Sequence, residues 1–221
     1  EHDACGVGMI AHIKGIRSHS IVEKGLEALE HLGHRGASGA DPKTGDGAGI
    51  MTQIPDALFR AELNVSLPVS GQYAVGMAFL PSQNSDRDKC IKLIEKSISN
   101  EKMNLLIWRK VPTDSTYIGT TAKDCMPHIA QFFITPNQDI KADEFEFSLF
   151  SIRRNIEKAI DSSNIDEDDF YICSLSQNTI VYKGLLMTDQ VRKFYLDLQN
   201  EQFISSISLV HSRFSTNTLG S

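Results

Sequence analysis

The stretch Cys5-Gly6-Val7-Gly8-Met9-Ile10-Ala11-His12-Ile13 is the first readable element of the chain, and the rest of the fold is read outward from it. A short apolar run rich in small residues reads as a β-strand that begins almost at the amino terminus. Its first residue is a cysteine, followed by Gly6-Val7-Gly8. Such a thiol is either a small buried hydrophobe or a nucleophile. The second reading needs a base, because the thiolate is the attacking species. Removal of residues 1–4 would give Cys5 a free α-amino group. With a pKa of about 7.7–8.0, that group is substantially neutral near physiological pH and can take the thiol proton. The flanking glycines would let a substrate approach the sulfur.

Downstream, Ile21, Val22, Gly25, Leu26, Ala28, Leu29 and Leu32 recur at helical spacing. They predict a helix over 21–32, with Ser20 as N-cap and Gly33 as its stop. The glycine-rich stretch from His34 to Gly49 has no periodicity and reads as a long functional loop. Residues 50–54 read as a strand, and Pro55 suits the first turn of a short helix. Further strands are expected at 72–80, 104–111, 128–135 and 206–212, and helices at 85–99, 144–160 and 188–198. Residues 170–175 and 179–183 bracket a Ser-Gln-Asn turn and predict a hairpin. The elements interleave without a strict β-α-β rhythm, which implies a mixed α/β or α+β layered fold. No internal repeat, linker or domain boundary is apparent.

Composition narrows the function classes. At 221 residues, 41% hydrophobic and 23% charged, the chain is globular rather than disordered or collagen-like. A net charge of -6 offers no basic stripe for phosphates, so nucleic acid is not an expected partner. No apolar run reaches the roughly 18 residues a membrane span needs, so no membrane partner is expected either. Cys5, Cys90, Cys125 and Cys173 lie far apart without a C-x-x-C, against zinc ribbons, iron–sulfur clusters and thioredoxin-type pairs. The thiols are expected to be reduced and intracellular.

Three other motifs carry chemistry-bearing residues. His31 and His34 stand beside Asp41 and Asp46, which suggests either a metal site or ordinary helix-end histidines. No third nitrogen or sulfur ligand lies at close spacing, so no metal is expected. Residues 44–49 (TGDGAG) lack the Walker lysine and the G-x-G-x-x-G register of a phosphate cradle. Residues 211–217 (HSRFSTN) leave an apolar strand with an arginine, Arg213, whose guanidinium fork could hold a carboxylate in bidentate fashion. A solvated strand exit is the alternative.

Taken together, CGVGMIA at 5–11, HLGHRGASGAD at 31–41, TGDGAGI at 44–50 and HSRFSTN at 211–217 strongly resemble the amino-terminal region of glutamate synthase large subunits. So do DFYICSLSQNTIVYKGLL at 169–186 and KFYLDL at 193–198, in the same order along the chain. That region is a class II, N-terminal-nucleophile glutamine amidotransferase domain. The resemblance implies an α+β fold, the four-layer α-β-β-α sandwich of N-terminal-nucleophile hydrolases, here incomplete at its C-terminal side. It implies a propeptide remnant at 1–4 and a partial amidotransferase domain at 5–218. Residues 219–221, Leu219-Gly220-Ser221, depart from the aromatic-proline continuation of the family and read as an artificial junction.

The resemblance also implies roles. Cys5 matches the nucleophile that attacks the side-chain amide of L-glutamine, giving a thioester and ammonia, with its freed α-amino group as base. Arg213 matches the arginine that grips the substrate carboxylate. Ser215 and Thr216 would line the same pocket, and Arg35 falls in the loop that closes over glutamine. In the family, ammonia passes to a synthase domain of the same polypeptide. There 2-oxoglutarate becomes an imino acid and is reduced to glutamate through FMN and an iron–sulfur cluster. Electrons come from NADPH, NADH or ferredoxin, by way of a donor subunit or ferredoxin itself. This is ammonia assimilation, in the cytoplasm or, in a photosynthetic source, the plastid. The present chain is expected to bind no cofactor. The family's oxyanion-hole Asn-Gly pair, and the acidic residue that binds the substrate amino group, lie beyond its last residue. Losing one oxyanion donor costs about 10²–10³ in rate, so the fragment is expected to be near-inactive. The competing readings are a non-catalytic amino-acid-binding or scaffold domain of the same fold, and an N-terminal-nucleophile hydrolase acting on another amide.

Overall fold

Burial recurs every third or fourth residue along His19–His31 and Ala142–Asp161 and every second residue along Ile207–Ser212, whereas Ala74–Leu80 and His128–Pro136 are buried on almost every residue. The structure is a computed structural model that describes residues 6–35, 41–166 and 169–212. In chain order the elements are β1 (Gly6–Ala11), α1 (His19–His31), β2 (Ala48–Gln53), α2 (Asp56–Glu62), β3 (Ala74–Leu80), α3 (Asn84–Asn100) and β4 (Met103–Lys110). There follow α4 (Thr120–Asp124), β5 (His128–Pro136), α5 (Ala142–Asp161), β6 (Tyr171–Ser176), β7 (Thr179–Gly184), α6 (Gln190–Phe194) and β8 (Ile207–Ser212). The result is a mixed α/β fold with two four-stranded sheets. Among the described residues no helix is long and apolar enough to cross a membrane.

Contacts divide the chain into two compact units, neither of them continuous in sequence, so no composition shift marks them. One unit draws on residues up to 59, 112–126 and those from 181 on. Its sheet has the order β1-β8-β2-β7, and β8 runs antiparallel to both β1 and β2. Helix α1 covers this sheet with Ile21, Val22, Gly25, Leu26 and Leu29, and Ser208 Oγ of β8 donates to the Ile21 carbonyl at 3.0 Å. Tyr182, Tyr195 and Phe203 form a buried edge-to-face cluster, with centroids 5.0 and 5.6 Å from that of Tyr182. Tyr182 Oη donates to the buried carboxylate of Asp197 at 2.8 Å.

The other unit, 60–111 and 127–180, has the sheet order β4-β5-β3-β6. Helices α3 and α5 pack on each other and on this sheet, burying Cys90, Ile94 and Ile98 with Phe145, Leu149, Ile152, Ile156 and Ile160. Phe132 of β5 lies over Gly76 of β3, and a Cβ on Gly76 would stand 2.1 Å from the Phe132 ring. Trp108 stacks obliquely on the same ring at 5.1 Å. Arg109 is buried and donates to Gln131 Oε1 at 2.8 Å and to the Glu62 carboxylate. Its charge is thereby paired rather than stranded.

Most expected elements form within one to three residues of their read boundaries, and four details differ. Ser18, not Ser20, is the N-cap of α1. Ser18 is held extended by a bridge to Ser205, with hydrogen bonds of 3.0 and 3.3 Å in the two directions. The helix ends at His31 and tightens into a 3-10 turn, Leu32–Arg35, that runs through Gly33. The expected hairpin of β6 and β7 does not form: the two strands are edge strands of different sheets. Their Ser176-Gln177-Asn178 connection is tied to α5 instead, with Ser176 Oγ, Gln177 N and Asn178 Nδ2 all donating to Glu146 Oε1. The expected helix over 188–198 breaks at Tyr195, which bridges Thr113 and donates its hydroxyl to the Lys183 carbonyl at 2.7 Å. A 3-10 turn, Leu196–Gln199, follows.

The loop that leads into β2 is clamped by Asp41. Its carboxylate accepts from Lys43 N at 3.0 Å, Thr44 Oγ1 at 2.8 Å and Thr121 N at 3.1 Å. The Lys43 carbonyl in turn accepts from Gly119 N and Gln190 Nε2. The Lys43 amide first, then Thr44 and Thr121, hold the Asp41 carboxyl below its ordinary value of 3.8. A carboxyl depressed in the folded state stabilises the fold above its unfolded pKa, and that contribution is lost as pH falls through the folded pKa. Asp41→Asn is therefore expected to be less stable than wild type near neutral pH, with the gap closing on acidification below 3.8; urea unfolding across that range measures it. In the other unit, Gly76→Ala is expected to cost about 1–3 kcal/mol through overpacking against Phe132. Adding Phe132→Leu should recover part of the loss in the same unfolding assay.

Candidate active site

The site is built at one end of the sheet β1-β8-β2-β7. Strand β8 ends at Ser212, which stands in register with Gly6, the first residue of β1, and with Ala48, the first residue of β2. Residues in register point to the same face. Gly6, Ser212 and Ala48 therefore share the inner face, while Val7, His211 and Gly49 share the other. Gly6 is closely packed: a Cβ there would lie 3.1–3.2 Å from the Cβ and both methyls of Leu32, so Leu32 would have to give way by a few tenths of an ångström. The 3-10 turn that carries Leu32 rests on β1 and β8 and closes at Arg35. One sheet end thus gathers the strand that follows Cys5, the strand that precedes Arg213 and the turn that ends on Arg35.

Cys5, Arg213, Ser215 and Thr216 themselves lie outside the described residues, as does the side chain of Arg35. Of the cysteines that are described, Cys90 is buried, and desolvation together with Asp86 pushes its thiol up to about 11, which makes it a poor nucleophile. Cys125 is exposed and its thiol donates to the Thr121 carbonyl at 3.2 Å. On β8, burial lowers the pKa of His211 and favours the neutral imidazole beside the site.

The histidine and aspartate cluster of the sequence resolves into local hydrogen bonds. His34 Nδ1 donates to the His31 carbonyl at 3.0 Å, and Asp41 serves the loop clamp. Among the described residues, no three His, Cys, Asp or Glu side chains converge as a ligand set. A groove of about 480 Å³ lies between α5 and β6, but its Arg154 and Glu157 are paired with each other and it contains none of the sequence candidates.

One site feature is not singled out by sequence reasoning. Ser212 is 1% exposed, and its Oγ has no hydrogen-bond partner. An unpartnered buried hydroxyl costs about 1–3 kcal/mol. The alternation Ser208, Val210, Ser212 in an apolar strand is the signal that two hydroxyls lie on the covered face. Which of them finds a partner depends on tertiary contacts.

Comparison with known proteins gives a match to the class-II glutamine amidotransferases over residues 5–221. The chain is 49% identical over 220 residues to the glutamate synthase (NADPH) large chain of Bacillus subtilis (strain 168). It is 43% identical over 221 residues to that of Azospirillum brasilense. It is 40% identical over 222 residues to ferredoxin-dependent glutamate synthase 2 of Synechocystis sp.. Each alignment covers 99% of this chain and 14% of the relative, so the chain spans about one seventh of the relatives' length. With a match that starts on Cys5 and covers the strands that set Gly6 in register with Ser212, the chain belongs to the class-II glutamine amidotransferases.

Proposed function

We propose that this chain is the glutaminase part of a glutamate synthase, releasing ammonia from L-glutamine for the formation of L-glutamate from 2-oxoglutarate. The observation that carries the reading is the register of Gly6 with Ser212, which brings the chain neighbours of Cys5 and Arg213 to one sheet end. The start of the family match at residue 5 supports it. Once residues 1–4 are removed, the α-amino group of Cys5 takes the thiol proton, and the thiolate attacks the glutamine side-chain carbonyl carbon. The C–N bond breaks, the ammonium returns a proton to the departing nitrogen, and ammonia leaves. Water then cleaves the thioester to glutamate and restores the thiol.

Arg213 holds the substrate α-carboxylate through two parallel hydrogen bonds. Ser215 and Thr216 line the pocket. The turn ending at Arg35 leads into a segment that closes over bound glutamine and keeps water from the thioester. The reading carries with it the four-layer α-β-β-α sandwich, for which two sheets with helices packed on them are the supporting observation. FMN and an iron–sulfur cluster would be held by other parts of the parent polypeptide, as the resemblance to glutamate synthases implies. NADPH or ferredoxin would supply the electrons, the reductants in the names of the relatives. Compartments of the cytoplasmic or plastid kind fit those relatives, some of which are named chloroplastic.

The full parent polypeptide is the object to test, because the chain has no Asn-Gly pair to serve as oxyanion hole and is itself expected to turn over little. In the parent, Cys5→Ala is expected to lower glutamine-dependent activity at least about 10³-fold. It should abolish covalent labelling by a glutamine-mimicking electrophile and leave ammonia-dependent glutamate formation intact. Labelling that persists at Cys90, Cys125 or Cys173 sinks the assignment, and glutamine binding without labelling of the wild type favours a non-catalytic domain. Arg213→Lys is expected to raise KM for glutamine on the order of 10–100-fold with a smaller change in kcat, because the fork geometry is lost.

A further inference from the structure

A helix in the outer layer of a globular fold turns its apolar stripe inward and polar residues to solvent. Two of the long helices obey this rule: Glu23, Lys24 and Glu27 of α1, and Asp88, Lys92 and Glu95 of α3, are exposed. Helix α5 does not. Its inward stripe, Phe145, Leu149, Ile152, Ile156 and Ile160, lies in the core of the second unit. On the opposite side, Phe147 and Phe150 are 71% and 61% exposed. Arg154 and Lys158, also exposed, continue that outer stripe at spacings of three and four residues. Beside them Tyr171 of β6 is 42% exposed and lines one groove with Arg154 and Lys158. Three aromatic rings and two cations thus share one surface along about 16 Å of helix. Aromatic rings and arginine are the side chains that interface centres concentrate.

We infer that this outer face of α5 is a docking surface for a part of the parent polypeptide that follows residue 221. The inference rests on reading the chain as part of a longer glutamate synthase. The chain covers 14% of each of those relatives, so about six-sevenths of such a polypeptide lies outside it. Size favours a tethered occupant. At about 150–250 Å² for a fully buried ring, the exposed parts of the three rings come to about 250–450 Å². A complex of separate molecules needs about 800 Å² on each partner. A domain of the same polypeptide is held at high effective concentration and docks stably through less. Charge favours the same occupant over a second copy, because two chains of net charge -6 repel each other. Arg154 and Lys158 call for acidic side chains at the rim of the apolar patch that meets Phe147 and Phe150.

The test uses the parent polypeptide, its length verified by intact mass. Hydroxyl-radical footprinting is expected to label Phe147 and Phe150 about tenfold less in the native parent than in urea, as it does the buried Phe132. A change below about twofold at both rings overturns the inference. A photoreactive benzophenone amino acid installed at Phe150, or separately at Lys158, should cross-link to a peptide beyond residue 221 of the same polypeptide. Cross-links to a second copy, to a separate subunit or to nothing overturn it. Phe147→Asp combined with Phe150→Asp should speed proteolytic separation of the amino-terminal domain at least about fivefold, while Phe150→Leu leaves it as in wild type. Separation at the wild-type rate in the double variant counts against the docking surface. Footprint and cross-link decide the question even where the double variant fails to fold. Labelling of Cys5 by the electrophile is scored separately in the wild type, so a failure of the glutaminase reading is distinguishable from a failure of the α5 surface.

Discussion

Strand β8 carries backbone hydrogen bonds along both of its edges, antiparallel to β1 on one side and to β2 on the other. That double pairing joins three segments far apart in sequence, and antiparallel geometry decides which of their ends coincide. Because β1 and β2 both begin where β8 ends, Gly6, Ala48 and Ser212 form one row. A shift of one residue in either ladder would turn Ser212 to the opposite face and carry Val210 and Ser208 with it. The register is held against that slip by burial. Val210 is fully covered, and Ser208 is anchored to the Ile21 carbonyl of α1.

The same economy of space operates at both packed interfaces. Leu32 packs within 3.1–3.2 Å of where a Cβ of Gly6 would be, so the turn that follows α1 rests closely on the strand end. In the second unit the ring of Phe132 occupies the position of a Gly76 side chain, and Trp108 fills in beside it. Close packing of this kind leaves little freedom for rearrangement. It accounts for a site scaffold whose backbone positions are set before any ligand arrives. Polar anchors supplement it where the chain is irregular. Asp41 binds the loop before β2, Glu146 binds the connection between β6 and β7, and Gln190 links Lys43 to Tyr117.

Helix and strand identities were largely legible from periodicity, because burial on one face is a local property repeated every two or three to four residues. The stripe from Ile21 to Leu29 and the one from Phe145 to Ile160 are buried as their spacing requires. Strand partnership was not legible in the same way. Residues 170–183 look like a hairpin because two apolar runs flank a short polar turn, yet β6 and β7 enter different sheets. Glu146, more than thirty positions from the turn it holds, carries the information that local reading lacks. The N-cap of α1 moved for a similar reason, since Ser18 is fixed by Ser205 from the far end of the chain.

The amino-acid sequence by itself determined the element types, the family, and the identity of the candidate chemistry-bearing residues, because side-chain chemistry and hydrophobic period are written position by position. Only the tertiary structure decided which of these positions meet. The coincidence of the ends of β1, β2 and β8, the close packing of Leu32 on Gly6, and the isolation of the Ser212 hydroxyl all arise from contacts between segments far apart in sequence, Gly6 and Ser212 at the extreme. A local pattern cannot encode such contacts, because their free energy appears only when separate strands and helices are packed into the same volume.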